Sequence, residues 1–465
     1  MKGPLQIRIP STSQSLRLIE TDRPSAVYLP ARFMNQIVIF LSAFRVLAAK
    51  CRRSFIAIFV ITVAAATVIL SSTGQRTELL IHDRSSDPDI RGLGSRTRWQ
   101  ETPANAQQTP DQSKPLWTGA KYTERDRDLA VERGLLFING VASNPEHFSL
   151  WGHDLLFCLY SISNTSKNEK LREMARRIGQ ERAREWRIIH PNPPVNDPYD
   201  LYAFVMGTDA ADKLLGESDP ALKERIQQAA RRFSTIDFLR FDPRREAPPA
   251  NIPEQCSKCD YQNRRGARIC RKCRAKLTFR SRYDVWLDAL IMSHACEVYG
   301  VKIGASYPDV LRWISSMRPY PAPEDDEDEF DTITYAITHV IYTLNDYHEY
   351  RLSPEWLPQE YKYLKNNIGK AERYQDGELL GEFLDTLRAF GEDETKPDIQ
   401  HGVDYLLSRQ NPDGSWGDMD AEIYTRYHST WTAVDGLRQY ANRGERLRYP
   451  EMRTLLRGKF PDATY

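Results

Sequence analysis

Four of the chain's seven cysteines fall in one short stretch, Cys256-x-x-Cys259 and Cys270-x-x-Cys273, with ten residues between the two pairs. Two such knuckles offer four thiolates to one tetrahedral ion, and zinc is the ion that this donor set suits. The segment around them, 250–278, is short and polar, so metal binding would supply the free energy that orders it. Disulfides are the competing use of the same four residues. They gain weight if this part of the chain lies outside the cell, where thiols oxidise. From Cys256 to Lys276 the stretch is also strongly basic: Lys258, Arg264, Arg265, Arg268, Arg271, Lys272, Arg274 and Lys276 face a single acid, Asp260. Such a knob can dock on an acidic partner, a lipid head group or nucleic acid, or stand solvated. An opposite run, Glu324 to Glu329, reads as a solvated loop that can pair loosely with it.

Other chemistry-bearing residues stand at or near the starts of apolar segments. His153 opens HDLLFCLYSI, His339 lies inside TYAITHVIYTL, and Asp200 and Asp284 each follow a tyrosine at a segment start. Two histidines and a carboxylate facing one cavity would suit a non-haem iron or another divalent metal. The same residues have plainer uses. A lone histidine on an apolar helix is commonly a core residue, and aspartates in a first turn cap the helix and favour its dipole. Asp154 has that reading too. His190, His294 and His401 fall nearer helix ends or on outer helices and read as structural. No P-loop, nucleophile elbow or dinucleotide glycine pattern occurs.

The elements that would carry these groups are helices. Six apolar segments begin near His153, Tyr199, Tyr283, Thr334, Asp376 and Tyr427. Each follows a more charged, amphipathic one: around Leu129 to Ile138, Leu171 to Trp186, Leu222 to Phe233, Val310 to Met317, Trp356 to Leu364 and Ile399 to Leu407. The apolar starts recur at intervals of roughly forty to fifty residues, except where the cysteine insert lies, and such a period marks a repeat architecture. Helices apolar nearly all round belong inside, and amphipathic ones outside. Six such pairs predict an all-α fold, an (α/α)6 ring over 121–465 with the cysteine ribbon inserted at 250–278. An open solenoid is the alternative.

One stretch carries a resemblance. The segment GVDYLLSRQNPDGSWG, with Gln410 and Gly414-Ser415-Trp416, is similar to the QW repeat of squalene–hopene and oxidosqualene cyclases. The segment YHSTWTAVDGL resembles the zinc-histidine helix of protein prenyltransferase β subunits. Both families fold as toroids of paired helices, so the resemblance implies that fold. It also implies a site. His428 stands where the prenyltransferases have a zinc-binding histidine. One inner helix earlier they place an Asp-Gly-Cys ligand pair, and here the residues are Asp376-Gly377-Glu378. The resemblance thus implies a metal set of His428, Asp376 and Glu378. Replacing the thiolate by a carboxylate makes the set harder and removes the basis for thiol-activating prenyl transfer. Zinc or iron is then the second divalent metal. The Asp-x-Asp-Asp acid of the cyclases is absent, as is an Asp-Asp-x-x-Asp diphosphate box.

The N-terminal quarter differs in kind. Residues 55–72 form an uncharged apolar run long enough to span a bilayer as a helix. Arg45, Lys50, Arg52 and Arg53 precede it, which places the tail 1–54 in the cytoplasm and the bulk of the chain outside. Residues 73–120 read as a flexible stalk. A signal peptide or a buried core helix are the other readings of the run. A net charge of +1 gives no general pull toward nucleic acid.

Three functions follow as expectations. The first is a membrane-anchored, metal-dependent enzyme acting on a hydrophobic, isoprenoid- or lipid-like substrate by group transfer, cyclisation or oxidation. Its aromatic lining would be Tyr199, Tyr202, Tyr283, Trp286, Tyr342 and Trp431. The second is a tethered, non-catalytic binding scaffold. The third is a carbohydrate-active helical ring in which carboxylates do acid–base work.

Overall fold

The computed structural model describes residues 122–458, apart from 251, 254, 255, 257, 258, 260, 262, 264–266 and 278. The chain divides into two compact units, 1–85 and 86–465, and the described residues all belong to the second. The expected tail, membrane span and stalk lie outside them. Among the described residues no helix is long and apolar enough to cross a membrane.

These residues are mostly helical. Charged outer helices alternate with apolar ones, and polar caps set where they begin. Outer α1 (Glu124–Ala142) starts at a Thr123 capping box. Asn144 caps α2 (Pro145–Thr165), whose regular geometry breaks at Trp151 (φ −122°, ψ 15°), so its apolar stretch runs from His153 as the sequence predicts. Outer α3 (Glu169–Ile189) is followed by α4 (Pro198–Leu215), which opens on an Asp197-Pro198 cap and ends at left-handed Gly216. Then come α5 (Pro220–Ala230) and the short α6 (Thr235–Leu239). After the cysteine insert runs α7 (Arg282–Tyr299), capped by Ser281. The single outer helix expected over 310–317 is two short ones, α8 (Tyr307–Leu311) and α9 (Ile314–Met317), interrupted at Arg312-Trp313. Apolar α10 (Glu327–Leu344) begins inside the acidic run, whose carboxylates suit a helix N-terminus. Then follow α11 (Pro358–Arg373), α12 (Gly377–Ala389), α13 (Pro397–Ser408), α14 (Ile423–Leu437) and a last short α15 (Arg453–Arg457).

The apolar helices pack in sequence order: α2 on α4, α4 on α7, α7 on α10, α10 on α12 and α12 on α14. The last pair also meets the first. Helix α14 packs on α1. Gln410 Nε2 donates to Ala130 O at 2.8 Å, and Arg133 donates to the carbonyls of Asn411 and Pro412, each at 2.9 Å. Trp151 and Phe157 of α2 meet Tyr424 and Trp431 of α14 at ring separations of 5.1 and 6.1 Å. Trp416, the anchor of the QW-like segment, is fully buried and donates from Nε1 to Leu406 O at 2.8 Å.

Helices α12 and α14 approach with backbone against backbone. A Cβ placed on Gly381 would stand 2.6 Å from the Thr432 carbonyl, and one on Gly436 would stand 2.8 Å from Gly381 O. No larger residue fits either position without moving a helix. The close crossing brings Glu378 of α12 within reach of His428 and Ser429 of α14.

The insert is built differently. Its base is a two-residue antiparallel pair, β1 (Ile252–Pro253) and β2 (Phe279–Arg280), in the register Ile252 to Arg280. Among the described residues its buried cluster is Cys256, Cys270 and Leu277, separate from the main core.

Candidate functional site

The second knuckle, Cys270 to Cys273, sits at the end of a hairpin marked by the Ile269–Lys276 bridge and a bond from Cys270 N to Ala275 O of 2.7 Å. Arg274 turns the chain at φ +66°. The four sulfurs lie within 4.8 Å of one another, with Cys256–Cys273 at 3.4 Å and Cys259–Cys270 at 3.6 Å. Four sulfurs each about 2.3 Å from a tetrahedral zinc would lie about 3.8 Å apart. A disulfide needs about 2.05 Å, and these cysteines are free thiols. The group can therefore hold a metal such as zinc, and the donor set fits that ion. Burial raises the Cys270 thiol, but the backbone N–H groups of Cys273 and Lys272 outweigh it and hold the thiol down to about 6. Its Sγ accepts the Cys273 N–H at 3.5 Å.

A second polar site lies among the apolar helices. These helices are buried on most sides, and α2, α7 and α14 carry a stripe of partly exposed positions at i, i+4, i+7 spacing. On α2 the stripe is His153, Phe157 and Tyr160; on α7 it is Asp284, Asp288, Ile291 and Ala295. On α10 it includes Tyr335 and His339, and on α14 Tyr424, His428 and Trp431. On α12 Glu378 is partly exposed, and the next residues along its row, Glu382 and Asp385, are buried.

His428 and Glu378 are the centre of this face. His428 Nδ1 stands 2.9 Å from Glu378 Oε1, and the two side chains retain 27% and 22% exposure. Tyr335 donates its hydroxyl to Glu378 Oε1, and Ser429 donates to Oε2 at 2.9 Å. Burial pulls the His428 imidazole down, but Glu378, with Asp154 and Glu382 behind it, overcomes this and lifts it to about 9. One turn along α12, Glu382 accepts from Thr338 at 2.5 Å, and burial raises its carboxyl to about 8. Asp154 is raised by burial, with His428 and the Tyr424 hydroxyl (3.2 Å) opposing the rise. Both shifts act in one direction: Glu378 favours a protonated imidazole at His428, and burial favours the proton-bearing form of Glu382 close by.

The other expected site residues separate. Asp376 caps α12, accepting the Leu379 N–H at 2.9 Å. Asp284 belongs to the Ser281 capping box at the start of α7. Asp200 is exposed in the first turn of α4. His153 and His339 lie on the shared face, and burial lowers each to about 4, so both are neutral. His339 Nδ1 is 2.8 Å from Tyr335 O and carries the hydrogen there. The set expected for a second metal does not assemble. Among the described residues, the four cysteines form the one group of three or more His, Cys, Asp or Glu ligand atoms within 4.8 Å of each other. Asp376 instead places Oδ1 on the Leu379 N–H as the cap of α12.

The aromatic expectation divides too. Trp431 and Tyr199 lie on partly exposed faces. Tyr283 and Trp286 are buried and point outward, donating to Met317 O at 3.0 Å and Val310 O at 3.1 Å. Tyr202 is core, and Tyr342 is 7% exposed. The sequence reading passed over Glu382, Tyr335, Tyr424 and Tyr347. The first three had a signal: each stands four residues from a residue already chosen. Tyr347 had none. It sits in a run of three non-glycine residues with left-handed backbone, Asp346, Tyr347 and His348 (φ +54°, +49° and +69°). Its ring meets Phe157 at 4.7 Å, His294 at 5.6 Å and Tyr342 at 5.9 Å, touching α2, α7 and α10 at once. His348 Nε2 meets Asp385 at 3.1 Å and its ring stacks on Tyr440. Such backbone persists only where surrounding contacts enforce it.

No protein-family model, curated protein or solved structure matches this chain.

Proposed function

We propose that the second unit is an enzyme working by general acid–base catalysis on a polyhydroxylated, carbohydrate-like substrate held among its apolar helices. The reading includes an (α/α)6 ring for the six helix pairs, supported by the order of neighbour contacts and by the meeting of α13 and α14 with α1 and α2. It keeps 55–72 as a single membrane anchor with the helical unit beyond it, on the sequence alone, and it takes zinc as the ribbon's ion.

The observation that carries it is the His428–Glu378 pair, half-enclosed, with the acid Glu382 one turn away. Glu378 holds the imidazole through Nδ1, which leaves Nε2 to exchange a proton with a bound substrate. His428 is the proton donor, Glu378 fixes its orientation and charge, and Asp154 and Glu382 set the local field. Polar and aromatic groups alternate on the shared face: Tyr335, Glu378, Tyr424, His428 and Trp431. That mixture suits hydroxyl-rich rings, which take hydrogen bonds at their edges and stacking on their faces. A hydrophobic substrate would leave these polar groups desolvated and unpaired. Metal-assisted chemistry on such a substrate is the weaker reading, because among the described residues Asp376 does not join His428 and Glu378 in one ligand group.

The test is turnover of a panel of glycosides and oligosaccharides by the purified full-length protein. Activity should fall as pH rises through about 9, where His428 loses its proton. His428→Ala should reduce kcat/KM by about 10²–10⁴-fold. Glu378→Gln should move the alkaline limb down toward the ordinary histidine range, near 6.5. Turnover insensitive to His428→Ala defeats the assignment. Binding of glycans without turnover would leave a tethered scaffold instead.

A further inference from the structure

Arg280 connects the cysteine insert with the interior of the helical unit. Arg280 is the second residue of β2, three positions after Leu277 of the ribbon's buried cluster and one before Ser281, which caps α7. Its guanidinium pairs with Asp288, two turns into α7 and on the same stripe as Asp284, Ile291 and Ala295. The two side chains are 14% and 11% exposed. Tyr199 on α4 and Arg240, which donates to the Tyr199 hydroxyl at 2.7 Å, complete this wall of the interior.

Arg280 is tied on one side to α7 and on the other to the β1–β2 pair. The β1–β2 pair has two residues per strand, too few to be stable unaided. Ile252, opposite Arg280, packs on the main core, but beyond β2 the chain leads into the ribbon. There the supports are the Ile269–Lys276 bridge, a Leu277 N to Arg268 O bond of 3.1 Å, and a buried cluster made largely of cysteine. Without an ion that cluster has almost no apolar surface to hold it.

We propose that the metal-bound ribbon is a positioning device for the interior. By fixing the β1–β2 clamp it holds Arg280 against Asp288, so that metal occupancy sets the order of the first two turns of α7 and of the polar wall they carry. Arg280 is a positioning residue: it acts through Asp288 and α7. The inference shares the ribbon's ion with the reading above and is independent of its acid–base chemistry.

Hydrogen exchange of the full-length protein, zinc-loaded and zinc-stripped, tests it. Zinc content is measured on each sample. Stripping should raise exchange over 282–288 by at least about tenfold and leave α14 unchanged. Arg280→Ala should produce the same rise at unchanged zinc content. Arg280→Lys, which keeps the charge but loses the fork, should restore part of the protection. Cys273→Ser should match the stripped protein. Unchanged protection of 282–288 after zinc loss overturns the coupling. A wild-type chain that binds no zinc overturns it at the ribbon, while leaving the His428–Glu378 reading intact.

Discussion

The ribbon and the helical body reach order by opposite means. The body buries dozens of apolar side chains in one cluster, and its caps and loops only refine what burial dictates. Among its described residues the cysteine insert buries Cys256, Cys270 and Leu277 and carries exposed Arg268, Arg271, Lys272, Arg274 and Lys276. Its cations repel one another, and an ion held by the four thiols would supply the order that burial does not. The contrast teaches that stability here is not one quantity, and that each region fails under a treatment the other survives.

The largest separation should come from chelation. Structural zinc contributes on the order of 10–16 kcal/mol in small finger peptides. Stripping the metal should make 256–277 sensitive to protease while the melting temperature of the body moves by no more than about 4 °C. A body that melts together with the ribbon would dissolve the contrast. Next is Trp416→Ala, which empties a fully buried site. It should cost the body about 3–5 kcal/mol in denaturant melts and leave zinc content unchanged.

A smaller effect lies in pH. Glu382 holds its proton up to about 8 in the native chain, whereas an unfolded glutamate releases it near 4.3. Across that interval the native state binds more protons, so stability falls as pH rises and levels off above about 8. His428 acts with the same sign between about 6.5 and about 9: the stability it contributes is complete below the lower value and lost through the upper one. Glu382→Gln should remove the first component and make the protein more stable than wild type at pH 9 by on the order of 2 kcal/mol. An unaltered slope between pH 5 and 8 would show that Glu382 ionises normally. The smallest effect is expected of Lys170→Ala. Its partner Glu132 is 2.6 Å away, but Lys170 is 71% exposed. Such a pair is worth less than about 0.5 kcal/mol, and a larger loss would mean that surface charge matters more to the body than its core suggests.

Much of the body was legible in residue order. The recurrence of apolar segments located the helices, while their exact starts are set by local caps such as Asp197, Ser281 and Asp376. The four-cysteine group was legible for the same reason, since knuckle spacing alone brings the thiols near one another. The interior site was half legible. His428 and Glu378 were picked by resemblance and do meet, but Asp376 was picked by the same resemblance and does not join them. A cap and a ligand look alike in sequence, and only the local N–H groups decide between them. Arg280 and Tyr347 gave no sign, for their roles depend on contacts with elements far away in the chain.

The bare crossing of Gly381 on Gly436 has a consequence for the proton pair above it. With no side chain between them, the two helices are spaced by their own backbones, and the gap between imidazole and carboxylate inherits that spacing. One added methyl group at position 436 would wedge the helices open and lengthen the His428–Glu378 bond without touching either residue. The proposed proton transfer would be detuned from more than a turn away by an alanine that carries no charge and touches neither residue of the pair.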